Sequence, residues 1–200
     1  MKNIILGLAI AAITLAACNS NSDKSAESQN RSIDTQAKPQ TDNSAITATA
    51  VADAKNIVSI SEIVSIYLQL KNAFAEDNTT GAAAAGTALE TAFKNYDKNA
   101  LTTIQKKAFE NVEDDARENA EHIGKNGGNI AHQREHFELL SKDIYDLVKA
   151  FGSGQVLYNF FCPMYNNGKG AYWISETKEI KNPYFGKEMP TCGTIKEEIK

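Results

Sequence analysis

Between residues 59 and 151 the apolar positions fall into four stretches of helical period. From Ser59 to about Asp77, Ile60, Ile63, Val64, Tyr67, Leu70 and Phe74 recur every three or four positions, which puts them on one helix face. Ser59 with Glu62 three residues on predicts a capping box at the start. Asn78-Thr79-Thr80-Gly81 breaks the pattern, and Ala82 to Tyr96 predicts a second helix with Ala85, Leu89, Ala92, Phe93 and Tyr96 along one side. Its alanine-rich start allows a neighbouring backbone to approach closely. Leu101 to about Lys125 predicts a third helix, striped by Leu101, Ile104, Ala108, Val112, Ala116, Ala120 and Ile123. Asn126-Gly127-Gly128-Asn129 stops it, because Gly and Asn accept the left-handed conformation of a helix end. Ile130 to Phe151 is the fourth, with Phe137, Leu140, Ile144, Leu147, Val148 and Phe151 inward. Four amphipathic helices on short connections predict an antiparallel four-helix bundle.

After Gly152-Ser153-Gly154 the period changes. Val156 to Phe161 and Ala171 to Ile174 are rich in strand formers, and Asn166-Asn167-Gly168-Lys169-Gly170 between them is turn chemistry. Eight aromatic residues crowd into positions 158–185, which marks a packed unit. The expected fold is therefore mostly α, with a small C-terminal β-hairpin and loop module.

The first 55 residues read differently. Lys2 is followed by an apolar run from Ile4 to Leu15, too short to span a bilayer and ordered like a secretory signal. Residues 19 to about 55 are rich in Ser, Asn, Gln, Thr and Ala with Pro39 in the middle, and no period survives. Such a segment buries too little apolar surface to offset its ordering entropy. As a coil it spans roughly 35 Å, enough to hold a folded part off a surface. The organisation expected is a signal peptide at 1–17, a tether at 18–55 and a helical domain at 56–200.

The sequence Leu15-Ala16-Ala17-Cys18 resembles the lipobox of bacterial lipoproteins at all four positions. The resemblance implies cleavage before Cys18 and a lipid anchor on its sulfur, and two or three acyl chains anchor stably where one does not. Asn19 is not the aspartate associated with inner-membrane retention, so the expected place is the outer membrane, facing the periplasm. The net charge is −4, and loss of residues 1–17 removes Lys2 and moves it to −5. That argues against nucleic acid as a partner and leaves the lipid as the contact with the membrane.

With Cys18 used by lipid, Cys162 and Cys192 remain. In an oxidising compartment two cysteines form a disulfide by default, and Cys162–Cys192 is one reading. The other is a metal site. Cys162-Pro163-Met164 and Met189-Pro190-Thr191-Cys192 each pair a thiol with a thioether beside a proline, and such soft ligands select Cu(I). Among the histidines, His132 and His136 share a helix face, and the turn at 126–129 brings His122 into their neighbourhood. No His-Glu-x-x-His run and no Cys-x-x-Cys pair occurs. Nothing beside Cys162 supplies an orienting acid or an oxyanion loop, so an enzyme is not expected.

Leu157-Tyr158, Cys162-Pro163-Met164, Gly170-Ala171-Tyr172-Trp173-Ile174-Ser175, Glu179 to Gly186, Met189 and Cys192-Gly193 together resemble the signature of a periplasmic domain family of unknown function. That family occurs in Gram-negative lipoproteins and at the end of some adaptor proteins of heavy-metal efflux pumps. The resemblance extends over about residues 60–196, including Gln133-Arg134-Glu135-His136-Phe137. It implies copper or silver handling, efflux components as partners, and Cys162, Met164, Met189 and Cys192 as ligands, with His122 and His136 as added ones.

Overall fold

The computed structural model describes residues 59–200. The signal peptide expected at 1–17, the lipidation expected at Cys18 and the tether expected to residue 55 all lie outside the described residues. The chain runs α1 Ser61–Ala75, α2 Thr79–Lys94, α3 Thr103–Glu110, α4 Glu113–Lys125, α5 Ile130–Phe151, β1 Leu157–Cys162, α6 Tyr165–Gly168, β2 Ala171–Ser175 and β3 Thr194–Ile199. It is mostly helical with a small antiparallel sheet.

The expected bundle of four unbroken helices is corrected at its third member. The predicted helix over 101–125 is two helices, α3 and α4, separated at Asn111–Val112. Glu113, Asp114 and Asp115 occupy the first turn of α4, where acidic side chains favour a new helix start. The break also rotates the inward face: Phe109 is buried, while Ile104, expected inside, is 78% exposed. The capping box expected at Ser59 is absent, since α1 has no side-chain cap and Ser59 Oγ accepts only the Ser61 N–H. A capping box stands instead on α3, where Thr102 and Gln105 satisfy each other's backbone N–H groups.

Elsewhere the apolar period places the core. Ile63, Val64, Tyr67, Leu70 and Phe74 of α1, Leu89 and Phe93 of α2, and Phe137, Leu140, Ile144, Leu147 and Val148 of α5 are all buried. The small residues of α2 bring it close against α4. A Cβ on Gly86 would lie 2.8 Å from both the Ala120 carbonyl oxygen and the Gly124 nitrogen.

The expected hairpin forms with β1 and β2 antiparallel, Phe160 opposite Trp173 and Cys162 opposite Ala171. The finding beyond it is β3, which pairs antiparallel on the other side of β1 and gives the order β2-β1-β3. Its sequence Thr194-Ile195-Lys196-Glu197-Glu198-Ile199 carries little apolar signal because it is an edge strand with only Ile199 buried. The sheet packs on α5 and α1. The Tyr67 hydroxyl pairs with Ser141 Oγ at 2.9 Å and accepts the Ile174 N–H at 3.1 Å, joining the three elements at one buried oxygen. Burial pushes this phenol up to a pKa beyond the usual range, so it stays a neutral donor and acceptor. Among the described residues no helix is long and apolar enough to cross a membrane.

Candidate functional site: a sulfur centre and a histidine cluster

The loop between β2 and β3 is held by Asn182, which is wholly buried. Its Oδ1 accepts the Tyr184 and Phe185 N–H groups at 2.7 and 3.1 Å, and its Nδ2 donates to the Cys192 carbonyl at 2.6 Å. Its own N–H donates to the Pro190 carbonyl at 2.9 Å. One side chain thus folds the loop back on itself and fixes the backbone of Cys192. Arg134 of α5 anchors the same loop to α1. It donates to the Pro183 carbonyl at 2.7 Å, the Phe74 carbonyl at 2.8 Å and Asp77 at 2.7 Å. Tyr184 stacks on Tyr165 with ring centres 4.3 Å apart, and its hydroxyl donates to the Tyr172 carbonyl. Gly193 lies against the indole of Trp173, where a Cβ would come within 2.5 Å of the ring. The motif Asn182-Pro183-Tyr184-Phe185-Gly186 is in these terms a device for returning Cys192 to the end of β1.

Cys162 closes β1 and is fully buried; Cys192 is half-buried. Their sulfurs lie 2.8 Å apart. Two unbonded sulfurs rest further apart than that, and a disulfide is about 2.05 Å. The two side chains are therefore in position for a bond with little backbone change. Burial, with Cys162 alongside, pushes the Cys192 thiol up to about 11, while the Met164 N–H directed at its sulfur acts the other way. Met164 itself is exposed, whereas Met189 is half-buried and its carbonyl accepts the Cys192 N–H at 3.2 Å. The structure thus brings Cys162 and Cys192 together and sets the backbones of both methionines beside them.

The histidines gather elsewhere. His122 on the last turn of α4 stacks on His136 with ring centres 4.3 Å apart, and His132 stands edge-on to His136 at 4.6 Å. One ligand nitrogen from each of the three lies within 4.8 Å of the others, and among the described residues no cysteine joins that group. His122 and His136 are thus not brought into one ligand set with Cys162 and Cys192. His132, read from the sequence as a face-mate of His136, is the third member that the resemblance left out. Asn119, beside them, carries no sequence signal of its own.

A family model described as a protein of unknown function (DUF3347) matches residues 63–156. The match takes in α1 to α5 with all three histidines and stops one residue before β1, so it does not include the sulfur-bearing tail. No curated protein and no solved structure matches the chain.

Proposed function

We propose that this is a lipid-anchored metal-binding protein of the cell envelope, which buffers or hands on Cu(I) at a centre built from Cys162, Cys192, Met164 and Met189. The lipid on Cys18 would hold it at the outer membrane, facing the periplasm, within reach of heavy-metal efflux components. The observation that carries the reading is the convergence of two sequence-distant thiols, 2.8 Å apart, each from a segment that also carries a methionine and a proline. A metal bound by two sulfurs at roughly 2.3 Å needs them further apart than they stand. The exposed Pro190-Thr191 turn is the part of the loop with room to yield.

A second reading has its own observation. Full burial of Cys162 and the closeness of the two sulfurs suit a structural Cys162–Cys192 disulfide in a scaffold or binding lipoprotein. The test is a thiol count on the full-length lipoprotein in detergent, before and after reduction, followed by Cu(I) titration against a chromophoric competitor. One Cu(I) held by the reduced protein and lost in C162S/C192S supports the copper centre. No thiols under air and no Cu(I) held after reduction leaves the structural bridge.

A further inference from the structure

The hairpin of α4 and α5 is fixed where the three imidazoles meet. Gln133 is wholly buried and its Nε2 donates to the Ile123 carbonyl at 3.0 Å and to the Thr79 carbonyl at 3.1 Å. Asn126 Nδ2 donates to the His122 carbonyl at 2.8 Å, and Asn129 Oδ1 accepts the His132 N–H at 3.3 Å. These bonds set the relation of the last turn of α4 to the first two turns of α5. They therefore set the spacing of His122, His132 and His136.

The ring next to Asn119 is oriented as well as placed. Asn119 Nδ2 is committed to the Asp115 carbonyl at 2.8 Å, so its Oδ1 faces His136 Nδ1 at 2.9 Å. An acceptor there puts the His136 proton on Nδ1 and leaves the Nε2 lone pair free, the arrangement by which an outer partner prepares a ligating histidine. His132 Nδ1 has Glu135 Oε2 at 3.3 Å, which favours the same tautomer.

We propose that His122, His132 and His136 form a second metal site, separate from the sulfur centre, for a divalent first-row transition ion, with Cu(II) bound more tightly than Zn²⁺. Three imidazoles without a thiolate suit a borderline divalent ion and not Cu(I), and the ordering of first-row ions puts Cu(II) ahead of Zn²⁺. Nitrogens at about 2.0–2.1 Å from an ion stand roughly 3.3 Å apart around a tetrahedral Zn²⁺ and roughly 2.9 Å apart when cis on a tetragonal Cu(II). The ligand atoms, now within 4.8 Å of one another, have to draw together by up to about 1.5–2 Å, and the half-exposed rings of His122 and His132 are the ones with room to turn. All three residues are half-buried, so one side of the ion would stay open to water or to the Glu118 carboxylate, 3.9 Å from His122 Nε2.

The experiment is Cu(II) titration of the full-length lipoprotein in detergent, its thiols reduced and alkylated, read by electron paramagnetic resonance and by equilibrium dialysis. The expected result is one Cu(II) per chain with a nitrogen-ligand spectrum, displacing Zn²⁺. His122→Ala and His132→Ala, both at partly exposed positions, should each weaken binding by at least 10-fold while the far-ultraviolet circular dichroism is unchanged. An affinity unchanged in both variants, or Cu(II) binding that vanishes on alkylation of the wild-type thiols, would overturn the second site. Loss of Cu(I) binding in C162S/C192S with Cu(II) binding intact bears on the sulfur centre alone.

Discussion

Lys71 Nζ lies 2.8 Å from Glu176 Oε2, with the lysine side chain almost wholly buried and the glutamate about one-third exposed. The pair ties α1 to the residue after β2, and Asn72 Nδ2 donates to the other carboxylate oxygen at 3.1 Å. Removing one partner of such a pair strands the other, which costs more than the pair itself contributes. Glu176→Ala is therefore expected to lose about 3 kcal/mol in urea unfolding at pH 7, while Lys71→Met combined with Glu176→Gln, which removes both charges, stays near neutral. Partial burial raises the Glu176 carboxyl, but the hydrogen bonds from Lys71, its own backbone and Asn72, with the lysine charge, outweigh it and hold the group below its ordinary pKa. Its stabilisation is present above the unfolded value of about 4.3 and is lost as pH falls through the folded one. The urea midpoint of the wild type should fall on acidification more than that of Glu176→Ala.

Asp143 on α5 titrates in the opposite sense. Burial, with Asp115 and Asp146 nearby, raises its pKa from 3.8 to about 7. The folded protein then holds a proton that the unfolded chain releases, so stability declines from about pH 4 to about pH 7. Asp143→Asn should flatten that decline. It should exceed the wild type above pH 7 by on the order of 1 kcal/mol, a modest figure because the carboxyl is only half-buried. Equal urea midpoints for the two proteins at pH 8 would contradict this.

The close approach of α2 to α4 gives a third expectation. Gly86→Ala places a methyl against backbone atoms of Ala120 and Gly124, which cannot turn aside as a side chain can. The helix propensity gained, up to about 1 kcal/mol, is outweighed by overpacking of about 1–3 kcal/mol. A thermal midpoint at or above that of the wild type would show that the two helices separate at little cost.

The helices were legible where packing and period agree. In α1 and α5 each predicted inward residue from Ile63 to Phe74 and from Phe137 to Val148 is buried, because one apolar stripe meets one core. The third helix misled because Ile104 and Ala108 fit the period of a helix that the acidic turn at Glu113 interrupts. β3 was invisible because an edge strand exposing Thr194, Ile195, Lys196 and Glu198 shows no apolar alternation. At the candidate site the nearness of Cys162 to Cys192 could be read from their number alone, and the turn at 126–129 placed His122 near His132 and His136. The hold of Asn119 on His136 could not be read, since it depends on which helix faces touch. The separation of the histidines from the sulfurs depends on it too.

The proposed anchor rests on one atom, the Cys18 sulfur. A serine oxygen cannot take the thioether-linked diacylglycerol, so Cys18→Ser should accumulate as an uncleaved precursor carrying no acyl label. Labelling with a palmitate analogue, followed by gel mobility, checks this, and a processed, labelled variant would remove the anchor from the proposal.

The methionines separate copper binding from packing. Met164→Leu with Met189→Leu preserves volume and apolarity, so the cost in stability should stay under about 1.5 kcal/mol. Thioethers are Cu(I) donors and give little to Zn²⁺, so Cu(I) affinity of the reduced protein should fall while Zn²⁺ binding hardly changes. If Cys162 and Cys192 form a structural bridge, C162S/C192S should instead lose roughly 2–5 kcal/mol in the metal-free oxidised protein.

The chain has a single tryptophan, Trp173, buried to 1% exposure, stacked on Phe160 at 5.0 Å and touching Gly193, the residue next to Cys192. An indole so enclosed emits at short wavelength, and nearby sulfur or copper drains its excited state. The protein thus carries its own lamp beside the sulfur centre. Oxidation or loading at Cys162 and Cys192 can be followed by intrinsic fluorescence, with no label introduced.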